Sequence, residues 1–279
     1  MQRAEVTGRQ SGGVSPAVVS VVDGLLQHLR QPEEGSAYIH RIRVDIKRLR
    51  AWLRLVRADA DFDWRSLDRR LRDGARRLSP SRDAQVVLDT LKRLESRADG
   101  KDREMLALLR SRLHFTPAAA GIDWQALKPE LIEAVAALRE PALALDSDRV
   151  LRRGLKRCYK RAMREGGRAF SGQDGIEKLH ELRKWVKYLY YQLQFVNKMR
   201  PGTYVKMRKR LNKLGDRLGR IHDLALLRRR LAQLPAGEDW MPVQRLVERR
   251  MRKLLKSSRR LYMQGFHRRP SRFLRPLAG

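Results

Sequence analysis

HRIRVDIKRLRAWLRLV, residues 40–56, and HELRKWVKYLYYQLQFV, residues 180–196, are one pattern written twice. His40/His180, Arg43/Arg183, Lys47/Lys187, Leu49/Leu189, Leu53/Leu193 and Val56/Val196 match in register, each second member 140 residues after the first. The same offset sets LSPSRDAQVVLDTLKRL (78–94) against LGRIHDLALLRRRLAQL (218–234), with Asp83 opposite Asp223. Two segments at one constant spacing indicate an internal duplication. It has kept a histidine and two cations together with the leucines of a core face.

On a helix turning about 100° per residue, Lys47, Arg54, Arg43 and Arg50 all fall within about 80° of His40. Ile42, Ile46, Leu49, Leu53 and Val56 fall on the opposite side as an apolar stripe. His180, Arg183 and Lys187 repeat the first set, with Lys184 beside them, and Leu182, Val186, Leu189, Leu193 and Val196 repeat the second. Tyr190 and Gln194 stand where the first copy has Arg50 and Arg54, so the second stripe is expected to be weaker in charge at its C-terminal end.

Like charges at such spacings destabilise an isolated helix, and a bound multivalent anion would relieve them. Arginine offers a planar fork matched to phosphate oxygens, and lysine a compact point charge. A phosphate nearby raises the pKa of an imidazole and recruits it as a further cation. Matched basic pairs continue downstream: Arg69/Lys209, Arg70/Arg210, Arg77/Arg217, Arg110/Arg250 and Arg112/Arg252. Of these, Arg69, Arg70, Arg77, Lys209, Arg210, Arg217, Arg250 and Arg252 join the candidate anion-binding set. Asp83 and Asp223 read as structural partners that orient an arginine.

Composition points the same way. Against 63 Lys and Arg stand 31 Asp and Glu, a formal charge of +32 in 279 residues. A surplus of that size calls for a polyanionic partner. Hydrophobic residues are 42% of the chain, enough for a buried core. The single cysteine, Cys158, excludes an internal disulfide and suits a reducing compartment. Residues 16–29 are apolar but too short to span a bilayer, so no membrane insertion and a cytoplasmic location are expected.

The helical period predicts helices over about 16–30, 37–57, 63–78, 81–97, 102–114, 123–139, 147–169, 176–198, 202–218, 220–234 and 241–265, with breaks at Pro and Gly pairs including Gly166-Gly167. No stretch alternates like a strand, so the fold class is all-α: antiparallel helical bundles, one per repeat, that pack together or exchange elements. Residues 1–14 read as a disordered arm, 115–146 as an acidic connector, and 266–279 as a basic tail. Trp52, Trp185, Tyr188, Tyr190 and Tyr191 read as core or rim packing. His222 and Arg82 precede the matched aspartates. His28, His114 and His267 have no partner in the duplication and read as ordinary histidines.

The doubled H-x-x-R-x-x-x-K-x-L helix, with a [RHN]-D-x-x-x-L helix about forty residues on, resembles the CHAD family, the conserved histidine α-helical domain. The resemblance spans about residues 15–265: repeat one 15–114, connector 115–146, repeat two 147–265. It implies two pseudo-symmetric bundles around a basic channel or cavity, and non-catalytic binding of inorganic polyphosphate, often at polyphosphate granules. His40, Arg43 and Lys47 would line one side and His180, Arg183 and Lys187 the other. No E-x-E-x-K strand of the tunnel enzymes often fused to this family occurs, so their activity is not expected.

Two other classes compete. A nucleic-acid binder explains the charge but not why the cations sit in paired helices with two histidines, and single-strand binders interleave exposed aromatics with the charge. Aromatics are 6% of this chain. An enzyme using His40 or His180 for phosphoryl transfer needs carboxylates to hold metal ions, and the acids show no ligand spacing with either histidine. Gly-rich phosphate loops are missing, and no cofactor or metal is expected. Inorganic polyphosphate is the first expectation for the partner, with nucleic acid second.

Overall fold

The computed structural model describes residues 14–32, 35–78, 80–113, 122–145, 147–171, 175–234 and 240–277. The expected arm therefore lies outside the described residues except for Val14, which is buried. Among the described residues the chain is helical and forms no strand. The first repeat holds α1 (Ser15–Arg30), α2 (Ser36–Val56), α3 (Trp64–Arg77), α4 (Pro80–Glu95) and α5 (Gly100–Arg112). The connector holds α6 (Trp124–Ala136) and α7 (Arg139–Ala144). The second repeat holds α8 (Asp148–Ala169), α9 (Ile176–Met199), α10 (Val205–Leu231) and α11 (Met241–Gly265), followed by α12 (Pro270–Phe273) and a 3₁₀ turn (Arg275–Leu277).

Local chemistry sets several ends. Asp63, Asp123 and Ser147 accept hydrogen bonds from the amides of Ser66, Ala126 and Val150, capping α3, α6 and α8. Proline accounts for two differences from the expected boundaries. The ring of Pro141 would clash with the carbonyl of residue 137, so the segment read as one helix over 123–139 becomes α6 and α7. In the first repeat Pro80 opens α4; at the corresponding Arg220 no proline intervenes, and the two helices expected over 202–234 fuse into α10. The expected break at Gly166-Gly167 is likewise absent, since α8 runs through it. Gly166 is needed for packing, because a Cβ there would strike the Tyr262 ring of α11.

The centre of the molecule is the pair of duplicated helices themselves. α2 packs on α9, and both stripes read from the sequence are buried: Ile42, Ile46, Leu49, Leu53 and Val56 against Leu182, Val186, Leu189, Leu193 and Val196. Gln192 Nε2, inside this contact, donates to Ala51 O at 2.9 Å. α1 and α8 flank the pair, α3 backed by α6 lies on the α2 side, and α10 backed by α11 lies on the α9 side. One core cluster thus runs through both repeats. A second, smaller cluster joins α4 and α5 of the first repeat to the C-terminal half of α10 and the start of α11, with Val87, Leu91, Leu227 and Leu231 among its residues. The two halves of the chain thus pack on one another through both clusters.

The segment read as a basic tail is docked instead. Phe273 stacks on Tyr159 with ring centroids 4.1 Å apart, and Phe273, Leu274 and Leu277 are buried. Tyr204 donates its hydroxyl to Phe273 O at 2.8 Å. That contact holds Tyr204 in a left-handed conformation, φ 57°, just before α10 begins.

Candidate functional site

The first turns of the cationic stripes face the helix that follows each of them. On α9, Arg183 and Lys187 lie across α10 where two glycines leave room. A Cβ on Gly215 would come within 2.8 Å of Lys187 Cε, and one on Gly219 within 3.4 Å of Arg183 Nε. Lys187 Nζ pairs with Asp216 at 3.1 Å and lies 5.4 Å from the Tyr190 ring. Lys184 pairs with Glu181 at 2.8 Å. The His180 ring sits 5.3 Å from that of His222 on α10. Burial first, then the cations Arg183 and Lys184, hold the His180 pKa below its usual value, while Glu181 acts the other way.

On α2 the corresponding Arg43 donates through Nη1 to Ala75 O of α3 at 2.7 Å. Ala75 stands 140 residues before Gly215, so a small residue serves the neighbouring helix in both copies. His40 is exposed and Lys47 half-buried on the same helix.

Further along α2 the arrangement changes. Arg50 Nε and Arg54 Nη2 both bond Asp68 of α3, at 2.9 and 2.7 Å, in a cluster whose side chains are 10–18% exposed. Arg54 also lies 5.3 Å from the Tyr188 ring of α9. Both arginines were candidates for the anion, and in this structure both are engaged with Asp68 at the α2–α3 joint.

Four downstream candidates also have partners on neighbouring helices. Arg70 and Arg77 reach outward to Glu133 and Glu130 of α6, at 2.8 and 2.7 Å. At the matched positions Arg210 and Arg217 donate to the backbone carbonyls of Gln264 and Ser257 on α11, at 3.3 and 2.9 Å. In both repeats these cations contact the covering helix, in the first through exposed pairs. Arg69 and Lys209 are exposed, and Arg252 sits in a mixed-charge hollow with Asp102 and Glu248.

Asp223 orients an arginine as expected: it receives Arg93 of α4 at 3.1 Å. The side chains of Arg82 and Asp83, and all of His114, lie outside the described residues. Sequence reasoning missed Asp68, Asp216 and the two glycines. Gly215 and Gly219 were visible as Gly-x-x-x-Gly within an otherwise continuous helix, a spacing that opens one face.

The residues 20–232 match the profile of the CHAD domain. The chain belongs to the CHAD family. Its fold is similar to the crystal structure of the CHAD domain from the plant Ricinus communis, with a TM-score of 0.59 and 21% identity over 95% of this chain and 96% of that one. At that identity the likeness is one of fold. Comparison with curated proteins gave no match.

Within this CHAD domain, Trp52, Trp185, Tyr188 and Tyr191 are buried, so these rings pack and present no stacking platform. Cys158 is also buried, which pushes its thiol pKa up to about 12 and leaves it inert as a nucleophile. Among the described residues no three His, Cys, Asp or Glu side chains gather as metal ligands, and no helix is long and apolar enough to cross a membrane.

Proposed function

We propose that this CHAD domain binds inorganic polyphosphate along the cationic faces of α2 and α9, without catalysis, in the cytoplasm and at polyphosphate granules. The observation that carries the reading is the clearance over Gly215 and Gly219, where α10 gives up side chains to accommodate Lys187 and Arg183. Lys184 and Lys187 are held loosely there. The carboxylates facing them, Glu181 and Asp216, are 42% and 52% exposed. Exposed pairs contribute about 0–1 kcal/mol, so phosphate oxygens can displace them. The Asp68 cluster, far less exposed, cannot be opened so cheaply.

A base-free chain suits this face better than nucleic acid does, because Trp52, Trp185, Tyr188 and Tyr191 are buried and only Tyr190 beside Lys187 is half-exposed. The acids close to the histidines and the stripe are each engaged with a cation, Glu181 with Lys184, Asp216 with Lys187 and Asp223 with Arg93, which favours binding over metal-assisted transfer.

Competition calorimetry at about physiological salt tests the reading: long-chain polyphosphate is titrated into protein preloaded with single-stranded RNA. Displacement of RNA with retained tight binding is expected; RNA holding its own charge for charge would put nucleic acid first. Replacing Arg43, Lys47, Arg183 and Lys187 together with Ala should weaken polyphosphate binding ~100-fold or more, at about 1 kcal/mol per contact. Replacing the exposed Arg268, Arg269, Arg272 and Arg275 should cost far less. Equal losses would mean that bulk charge does the binding.

A further inference from the structure

The duplicated stripes leave another concentration of positive charge unexplained. Where α4, α10 and α11 meet, a small half-open hollow is lined by Arg93, Arg97, Arg220 and Arg250. Its walls are otherwise largely apolar, supplied by Leu94, Leu224 and Leu254. Arg93 is fixed in place, donating through Nη2 to Thr90 Oγ1 at 2.9 Å and Asp223 Oδ2 at 3.1 Å. Among the described residues no carboxylate pairs with Arg97, Arg220 or Arg250. Three guanidinium groups gathered at one hollow without a carboxylate repel one another. An anion between them removes that cost, and forked donors suit phosphate oxygens.

The duplication supplies a second, independent clue. At the 140-residue offset Arg220 corresponds to Pro80, Arg93 to Gln233 and Arg97 to Gly237. Arg250 does have a basic counterpart, Arg110, but that residue is held by Glu95 at 3.2 Å. This set of arginines is therefore not repeated, whereas the His–Arg–Lys stripe occurs twice.

A linear polyphosphate has the same division. Its interior units are identical and singly charged, while a terminal phosphoryl group has a second pKa near ~6 and carries close to two charges at neutral pH. A repeated stripe suits the interior, and a single concave pocket with four forked cations suits an end. We propose that the pocket between α4, α10 and α11 binds a terminal phosphoryl group, from the end of a long polyphosphate or from a free short oligophosphate. The assignment to a chain end rests on the polyphosphate reading above; the pocket's taste for a phosphoryl dianion does not.

The test compares wild type with Arg97→Gln/Arg220→Gln, two exposed side chains whose replacement should leave the thermal midpoint unchanged. Should that pair fail to fold, Arg97→Ala alone carries the same comparison. Calorimetry is run with tripolyphosphate, with long-chain polyphosphate bearing free ends, and with the same chain after its ends are converted to phosphoramidates, each losing one charge. Tripolyphosphate affinity is expected to fall ~30-fold in the variant, the effect of losing about two charge-assisted contacts. Wild type is expected to prefer the free-ended chain over the capped one, and the variant to lose that preference. If the tripolyphosphate loss appears without any preference for free ends, the pocket takes short oligophosphates and the chain-end source is eliminated. Unchanged affinity for all three ligands would overturn the proposal while leaving the polyphosphate reading intact. Wild type that takes tripolyphosphate but no long chain would sink that reading and spare the pocket.

Discussion

At the C-terminal end of α2, Arg50 and Arg54 close on Asp68. At the same place on α9, Gln194 Nε2 donates to the Tyr190 hydroxyl at 2.9 Å, and the position matching Asp68 is Arg208. Two arginines and an aspartate have been exchanged for a tyrosine, a glutamine and an arginine. Each trio carries one net positive charge, although along α9 itself Tyr190 and Gln194 bring none. At the N-terminal ends, by contrast, His40/His180, Arg43/Arg183 and Lys47/Lys187 are the same in both copies. The divergent end is a structural joint in which three residues must suit one another, and changes there come as a set. At the unchanged end Lys187 meets the exposed Asp216 and Arg43 a backbone carbonyl.

The sharpest way to break this contrast is to damage the joint. Asp68→Ala leaves two partly buried guanidinium groups facing each other without an anion, and should cost ~3–5 kcal/mol of stability in urea denaturation. Installing the other copy's solution, Arg50→Tyr with Arg54→Gln and Asp68→Arg, should recover most of that loss. If Asp68→Ala is nearly neutral, the cluster is no joint. If the transplant is as poor as the single change, the two trios are not interchangeable.

Binding should divide the same way. Arg183→Ala with Lys187→Ala should weaken polyphosphate binding ~30-fold, about 2 kcal/mol for two partly exposed contacts. The transplanted trio, which alters the sequence stripe just as much, should change it by less than ~3-fold if Arg50 and Arg54 are committed to Asp68. Equal effects from the two variants would return Arg50 and Arg54 to the ligand.

How much of this was legible beforehand follows from the range of each interaction. Ile42 through Val56 and Leu182 through Val196 could be read as core because burial of one helix face is a periodic property of one segment. The choice between ligand and clamp could not, because it depends on what faces the cation from another helix. Arg43 and Arg77 look alike in sequence; one donates to Ala75 and the other meets Glu130, 53 residues away. The connector acids were seen as a linker's charge, although Glu130 and Glu133 hold α6 to α3. Phe273, Leu274 and Leu277 were masked by the arginines around them, and docking of so short a segment has no periodicity to announce it.

A smaller effect separates packing from ligand binding at α10. Gly215→Ala adds a methyl that meets the flexible end of Lys187, with Cε at 2.8 Å, so the side chain moves rather than the backbone. Alanine is worth up to ~1 kcal/mol over glycine in a helix interior. Stability should hold or rise while polyphosphate affinity falls several-fold, measured by thermal denaturation and calorimetry on the same sample. A parallel fall in both would mean that Gly215 serves helix packing alone.

The smallest expected effect is the pH dependence of His180, and its sign differs between the free and bound states. Burial and the neighbouring Arg183 and Lys184 depress the pKa in the free protein. The unfolded chain therefore takes up this proton first, and the ring's contribution to stability, present above the ordinary histidine pKa, is lost as pH falls through the folded value. A bound polyanion reverses the balance by favouring imidazolium. Binding should then take up protons, and affinity should rise a few-fold as pH is lowered from about 8 towards about 6. The heat of binding should also vary with the ionisation enthalpy of the buffer. His180→Gln should flatten both trends. An affinity that stays level across this range in wild type would place His180 outside the ligand's reach, with Arg183 and Lys187 as the groups that hold it.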